Sequence, residues 1–228
     1  VTSSLAVLNH EVHWGGVLSE YQQQFDDDPA LISVRRKASV VYYTQMNLYN
    51  MLDDFRYASS FAWNHTYWLN ETLGGRHYEL HVPVPDGMQY HHSGFAGEPE
   101  YDIAAARQIL LDSTDPLVIA NMTAAGLDEF STDQDWIDAA ESVTPVAWFN
   151  YTRYSSTTVQ LAALQLQDNL KDIGIRLEIL EPIDWSVWVT DYLENPDGHR
   201  RLCFSFGGWG PDYNDPINMI EPLYGTNA

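Results

Sequence analysis

Basic residues are scarce in this chain: 11 lysines and arginines face 32 aspartates and glutamates, a net charge of −21 over 228 residues. A field of that sign repels phosphate backbones, which argues against nucleic acid as a partner, while a cationic ligand is compatible with it. The acidic residues are spread out apart from small clusters such as Asp26–Asp27–Asp28, the pattern of a solvated acidic surface rather than a binding tail. Cysteine is almost missing. Cys203 alone cannot close an internal disulfide, zinc-ligand spacings are absent, and its place in Leu202–Cys203–Phe204–Ser205–Phe206 is that of a packed structural thiol. No apolar run approaches the ~18 residues of a membrane span.

The signatures of catalysis are also lacking. There is no Gly-x-Ser-x-Gly elbow, no Walker A loop and no Gly-x-Gly-x-x-Gly after a strand. Carboxylate pairs are so abundant that any two could be labelled acid and base, a signal without value until geometry selects among them. His10, His13, His77, His81, His91 and His92 offer nitrogen, but none stands in a His-Glu-x-x-His pair, and adjacent His91 and His92 cannot easily hold one ion. They read as exposed loop histidines, so no metal, no cofactor and no enzymatic activity are expected. Asn64, Asn70, Asn121 and Asn150 begin Asn-x-Ser/Thr sequons, about as many as chance supplies, and none is assigned a glycan.

What is present is globular. Hydrophobic residues make up 45% and aromatics 13%, enough to bury the core of one large domain or two small ones. The first ~30 residues read as loosely structured, with a short helix around Val17–Phe25. Ala38–Tyr43 is β-branched and aromatic enough for a strand. Phe55, Ala58, Ser59 and Ala62 recur at helical spacing behind Asp53 or Asp54 as N-cap, and a second helical piece, Tyr67–Leu73, stops at Gly74–Gly75. The prolines of His81–Gly87 predict extended chain and a turn. Asp102 can cap a helix over Ile103–Leu111. Asp112–Thr144 is polar, with one helix around Asp135–Glu141, and Pro145–Tyr151 follows as a strand.

The most regular passage comes next. Val159, Ala163, Leu166, Leu170 and Ile173 form one helical stripe that Gly174 can terminate. Ile175, Leu177 and Ile179 alternate with Arg176 and Glu178, a half-buried strand. Asp184 caps a helix through Leu193, Asn195–Gly198 turns, and Leu202–Phe206 is a short buried strand. Strands alternating with helices predict an α/β fold with a mixed central sheet flanked by helices. The densest candidate site is the loop placed directly after that last strand, Gly207–Pro216. Ligands in open α/β sheets sit beyond the carboxyl ends of strands. Gly208 and Gly210 permit close backbone approach, Trp209 and Tyr213 offer flat surfaces, and Asp212 offers a carboxylate for an ammonium group, with Asn214 beside it. A Gly/Pro loop around a packed tryptophan is the plain structural alternative.

Several segments, in order across Leu48–Tyr224, resemble the peptide/nickel-type (family 5) extracellular solute-binding proteins of ABC transporters. They are Asp54–Phe55–Arg56–Tyr57–Ala58 with Ala62–Trp63–Asn64; Gly74–Gly75–Arg76 with Pro83–Val84–Pro85–Asp86–Gly87; Tyr101–Leu111; Leu170–Ile175 with Asp184–Trp185; and Gly208–Trp209–Gly210–Pro211–Asp212–Tyr213–Asn214–Asp215–Pro216. The resemblance implies one lobe of a two-lobed fold of the periplasmic-binding-protein type II kind, here the second, C-terminal-side lobe. Residues 1–228 then form one domain, with 1–47 partly linker or lobe edge, and a missing first lobe and return strands explain both chain ends. It implies a short peptide as ligand, its α-ammonium on Asp212, with ABC permease subunits as partners. The implied location is outside the cytoplasmic membrane, in the periplasm or lipid-anchored, the signal lying upstream of Val1. A nickel chelate, an oligosaccharide or another solute on the same fold is the alternative, as is a sensory domain using this lobe without transport. The chain departs from peptide-binding members in two places. Ser205–Phe206–Gly207 are neutral where some carry a basic residue, Arg200 and Arg201 preceding the strand, and Asp112–Thr144 is longer than the usual connector.

Overall fold

The computed structural model of the chain describes residues 2–18, 21–34, 39–75, 77–92, 99–154, 156–199 and 201–224, so that Arg76 and Arg200 lie outside the described residues. The chain divides into two compact units, Val1–Ala38 and Ser39–Ala228. The first carries helices α1 (Thr2–Leu8) and α2 (Gln22–Asp27). Ser4 ties the intervening segment back: its hydroxyl donates to Gly16 O at 2.7 Å and accepts from Leu18 N at 3.1 Å. That tie holds Val17 and Leu18 out of a helix, so the helix expected from Val17 begins only at Gln22, and α1 had no counterpart among the expectations.

The second unit is a mixed sheet flanked by helices, as expected. Its strands are β1 (Val41–Met46), β2 (Ala147–Thr152), β3 (Ile175–Ile179) and β4 (Phe204–Trp209), in the order β1-β4-β2-β3. β2 runs parallel to both β3 and β4, whereas β1 is antiparallel to β4. The connection from β2 to β3 is the longest helix of this unit, α8 (Thr157–Lys171). Its stripe Val159, Ala163, Leu166 and Leu170 is buried together with Ala162, over Phe149, Tyr151, Ile175 and Leu177 of the sheet. Each of the larger side chains, Val159, Leu166 and Leu170, contributes roughly 1.5–3 kcal/mol on leaving water, which is why this periodicity decides the architecture.

The other helices pack on the same core. In α3 (Asp53–Ala62) the four residues at helical spacing are buried, but the N-cap is Leu52, and Asp53 and Asp54 stand inside the first turn. There they complement the helix dipole instead of capping it. α4 (His65–Tyr67) runs into a π turn, Trp68–Thr72. Asp102 caps α5 (Ile103–Leu111) as expected, accepting from Ala105 N at 2.9 Å. The 112–144 stretch holds two helices where one was expected, α6 (Pro116–Ala125) and α7 (Asp133–Glu141). The punctuation of α6 is plain in the sequence: Asp115 caps Leu117 N, Pro116 opens the helix and Gly126 closes it in left-handed conformation. Its apolar residues go all round the helix and show no stripe, since only Val118 and Met122 are buried. α7 starts at a capping box between Thr132 and Asp135 and buries Trp136.

After β3 come α9 (Trp185–Trp188), extended by a π turn over Val189–Leu193, then α10 (Pro196–His199) where a turn was expected, and α11 (Ile217–Tyr224) after β4. Asp184 occupies the N-cap position of α9 without a side-chain cap bond. β4 itself does not end at Phe206; it continues through Gly207, Gly208 and Trp209, which pair with β1. The segment read as loop therefore begins as strand, because β1 supplies backbone partners that no local pattern announces. Among the described residues no helix is long and apolar enough to cross a membrane.

Gly174 joins α8 to β3 at φ +73°, where an added Cβ would lie 2.6 Å from Val146 Cγ2. Gly174→Ala is expected to lower stability by about 2 kcal/mol or more, since left-handed strain and a core clash combine. Urea denaturation of the two proteins measures it.

Candidate functional site

β4 carries the candidate loop, so its placement decides the site. Backbone pairing of β4 with β2 covers only Tyr151↔Phe204 and Thr152↔Ser205. Asn150 prolongs this ladder with its side chain: Nδ2 donates to Arg201 O at 2.9 Å, and Oδ1 accepts from Cys203 N at 3.0 Å. From the other flank, Asn47 N donates to Cys203 O at 2.9 Å and Asn50 Nδ2 donates to Leu202 O. Both amide atoms of the Asn150 sequon are thus engaged in structure. Cys203 sits half-buried in this clamp, and burial pushes its thiol above the ordinary range, an effect that a hydrogen bond from the Asn150 backbone partly opposes.

At the far end of β4, Tyr43 and Tyr42 face Gly207 and Gly208. A Cβ on Gly208 would meet Tyr42 Cδ1 at 2.8 Å, and one on Gly207 would meet Tyr43 Cε2 at 2.6 Å. Tyrosine rings crossing the strand pair therefore account for both glycines. Tyr42 also stacks on Phe206, with ring centroids 5.9 Å apart.

Trp209 is half-buried against Val84, Met88 and Met219, and its Nε1 donates to Asn218 O at 2.7 Å. Asn218, buried near the start of α11, accepts Asp212 N on its Oδ1 at 2.8 Å. One residue thus fastens both the indole and the loop. Gly208, Gly210, Asp212, Tyr213 and Asn214 remain exposed, and Asp212 has no ion-pair partner among the described residues. The arrangement is a rigid turn with a free carboxylate and a phenol at its rim, able to accept hydrogen bonds from a cation.

Sequence reasoning missed two aromatic residues at the same end of the sheet. Tyr154 follows β2, bridges to Ile183, and meets Trp185 edge-on at 5.0 Å between ring centroids. Burial and then the nearby Tyr42 push the Tyr154 phenol up. Tyr42, Tyr154 and Trp185 thus extend an aromatic surface beyond the carboxyl ends of the parallel strands. The available signal was a Tyr-Tyr strand matched with a Gly-Gly strand. No group of three or more potential metal-binding side chains occurs among the described residues. A separate groove of about 680 Å³ follows β3 and is lined by none of the expected site residues.

The profile of the bacterial extracellular solute-binding proteins, family 5 (middle region), matches residues 2–228. The chain belongs to this family. A search of curated protein sequences finds no match. Among solved structures, the chain is similar to the ABC transporter substrate-binding protein CtaP of Listeria monocytogenes, at 18% identity and TM-score 0.67, covering 97% of this chain and 40% of that one. The oligopeptide-binding protein AppA of Bacillus subtilis, in complex with a nonapeptide, matches at 16% identity and TM-score 0.65, over 94% of this chain and 40% of that one. NikA of Staphylococcus aureus, in complex with Ni(L-His)2, matches at 13% identity and TM-score 0.61, over 90% of this chain and 37% of that one. The chain therefore spans about two fifths of the length of these proteins, and its α/β sheet with flanking helices is one lobe of their fold.

Asn150→Ala is expected to cost about 1–3 kcal/mol, because it strips two partners from the start of β4. The same change should speed alkylation of half-buried Cys203, because it loosens the start of β4 and opens the thiol to reagent. Iodoacetamide labelling followed by mass spectrometry reads both rates.

Proposed function

We propose that this chain is the second lobe of a solute-binding component of an ABC importer, which captures short peptides outside the cytoplasmic membrane and delivers them to the permease. The observation that carries the reading is the exposed, unpaired carboxylate of Asp212 on a turn fastened by Asn218, at the carboxyl end of the sheet. Membership of family 5 and the fold shared with the nonapeptide-bound AppA support it. In this reading Asp212 receives the α-ammonium, with Tyr213, Asn214 and the backbone at Gly208 and Gly210 beside it. Trp209 shapes the pocket from below as the anchor of the loop. The role is binding, not catalysis, and it needs a first lobe to close over the site. In this reading residues 1–47 are partly linker or lobe edge, and the unit from Ser39 onward carries the sheet.

A second reading keeps the lobe and changes the solute to one without a free carboxylate, such as a metal chelate or a sugar. The neutral Ser205–Phe206–Gly207 stretch favours it, since no cation there can hold a peptide C-terminus, and the fold is shared with the Ni(L-His)2 complex of NikA.

In the complete two-lobed protein, Asp212→Ala should weaken binding of a short peptide about 10- to 100-fold by calorimetry, the loss of one charge-assisted hydrogen bond worth ~1.5–3 kcal/mol. Retained affinity would remove Asp212 from the site. Equal weakening by an N-acetylated peptide, with no further loss in the variant, would locate the contact at the ammonium.

A further inference from the structure

Among the described residues β3 is an outer strand of the sheet, with β2 on one side and the 680 Å³ groove along the other. Hydrogen bonds from Val146 N to Gly174 O and from Leu180 N to Tyr151 O, both at 3.0 Å, set the phase of its ladder with β2. Alternate residues of a parallel strand bond the same neighbour, so Ile175, Leu177 and Ile179 turn their N–H and C=O groups to the open side. Gln167 agrees with this phase: from outside the sheet its Nε2 donates to Leu177 O at 2.7 Å.

The sequence of this edge is self-complementary. In Ile175–Arg176–Leu177–Glu178–Ile179 the apolar residues are symmetric about Leu177 and the charges are opposite. Laid antiparallel against itself on a two-fold axis at Leu177, the strand sets each outward-facing residue opposite another: Ile175 against Ile179 and Leu177 against Leu177. Arg176, whose Nε donates to Ala140 O at 3.0 Å and whose Nη2 donates to Glu141 O within its own chain, then stands across from Glu178 of the second copy, twice, in the closer, non-hydrogen-bonded positions, with its Nη1 left for the carboxylate. A shift of two residues in either direction leaves both charges unmatched. The apolar flanks are symmetric too. On one face α8 exposes Leu161 and Leu164, at 42% and 45%; on the other Trp148 is 61% exposed, with the Arg176 guanidinium 5.7 Å from its ring centroid. The two-fold axis, perpendicular to the sheet, brings α8 beside α8 of the second copy and covers Leu164, which lines the groove.

We propose that the free edge of β3 is a homotypic docking surface, through which two copies of this chain join their sheets antiparallel in the Arg176–Glu178 register. It is an isologous contact that uses each surface once and closes as a dimer. Gln167 gives up Leu177 O to the Leu177 N–H of the second copy. Net charge opposes association, so the dimer strengthens as salt screens two protomers of −21 each.

Sedimentation of the 228-residue chain up to about 1 mM, at about 0.5 M salt, tests it. A reversible dimer is expected. Ile179→Pro removes one outward N–H and none of the bonds to β2, and Glu178→Arg opposes like charges; each should raise the dimer Kd at least ~10-fold. Mixing Glu178→Arg with Arg176→Glu should restore pairing between the two variants only. Hydrogen exchange of the wild-type protein decides independently of variant folding: the amides of residues 175, 177 and 179 should slow as concentration rises. A chain that stays monomeric throughout, or a dimer indifferent to both single variants and without slowed edge amides, overturns the proposal. So does an edge that takes up an unrelated extended peptide while the chain stays monomeric.

Discussion

The placement of β4 is the constraint on which the rest depends. Among the described residues it is the one strand bonded to neighbours of both senses, parallel to β2 and antiparallel to β1, and it leads into the turn with the exposed Asp212 carboxylate. Its backbone pairing with β2 is short, so side-chain amides take over where the ladder stops. A buried strand end left unpaired would cost on the order of 1–3 kcal/mol per polar group, so the asparagine clamp sets where β4 begins. Everything downstream inherits that register: the tyrosines over the glycines, the indole on its methionine and valine bed, and the exposed turn.

The glycines at 207 and 208 illustrate how packing alone can account for a conspicuous motif. Without a Cβ at 207 and 208, two aromatic rings settle on the strand. The same absence thins the sheet where the chain leaves for the turn. A structural cause is sufficient for both glycines, and the functional weight shifts to Asp212 and Tyr213, whose side chains have no such task. Trp209 lies between these cases: its ring is committed to the hydrophobic bed, and in the proposed site it would act on a ligand only through the geometry of the turn.

Much of the fold was legible in the sequence wherever a buried face repeats at a regular interval. The α8 stripe, the β3 alternation and the Asp102 cap were readable because one side of each element alone meets the core. The second helix of the 112–144 stretch escaped because α6 has no stripe, although its cap, proline and terminal glycine were all in place. The extension of β4 escaped for a different reason. Its last residues pair with a strand about 165 positions earlier, and a Gly-Gly-Trp run carries no strand signature of its own. The family motif located the turn. The aromatic residues at Tyr154 and Trp185 belong to no single motif, because three-dimensional proximity alone brings Tyr154 near Tyr42 on one side and against Trp185 on the other.

The pairing of Val41 with Trp209 has a consequence for how a ligand could be held. The turn is stitched on one side to the opening strand of this unit and on the other to α11 through Asn218. It cannot swing open without tearing a sheet edge. Under the proposed function, a solute meeting such a platform would find little disorder to remove, and closure would fall to movement of whole bodies and not of this turn.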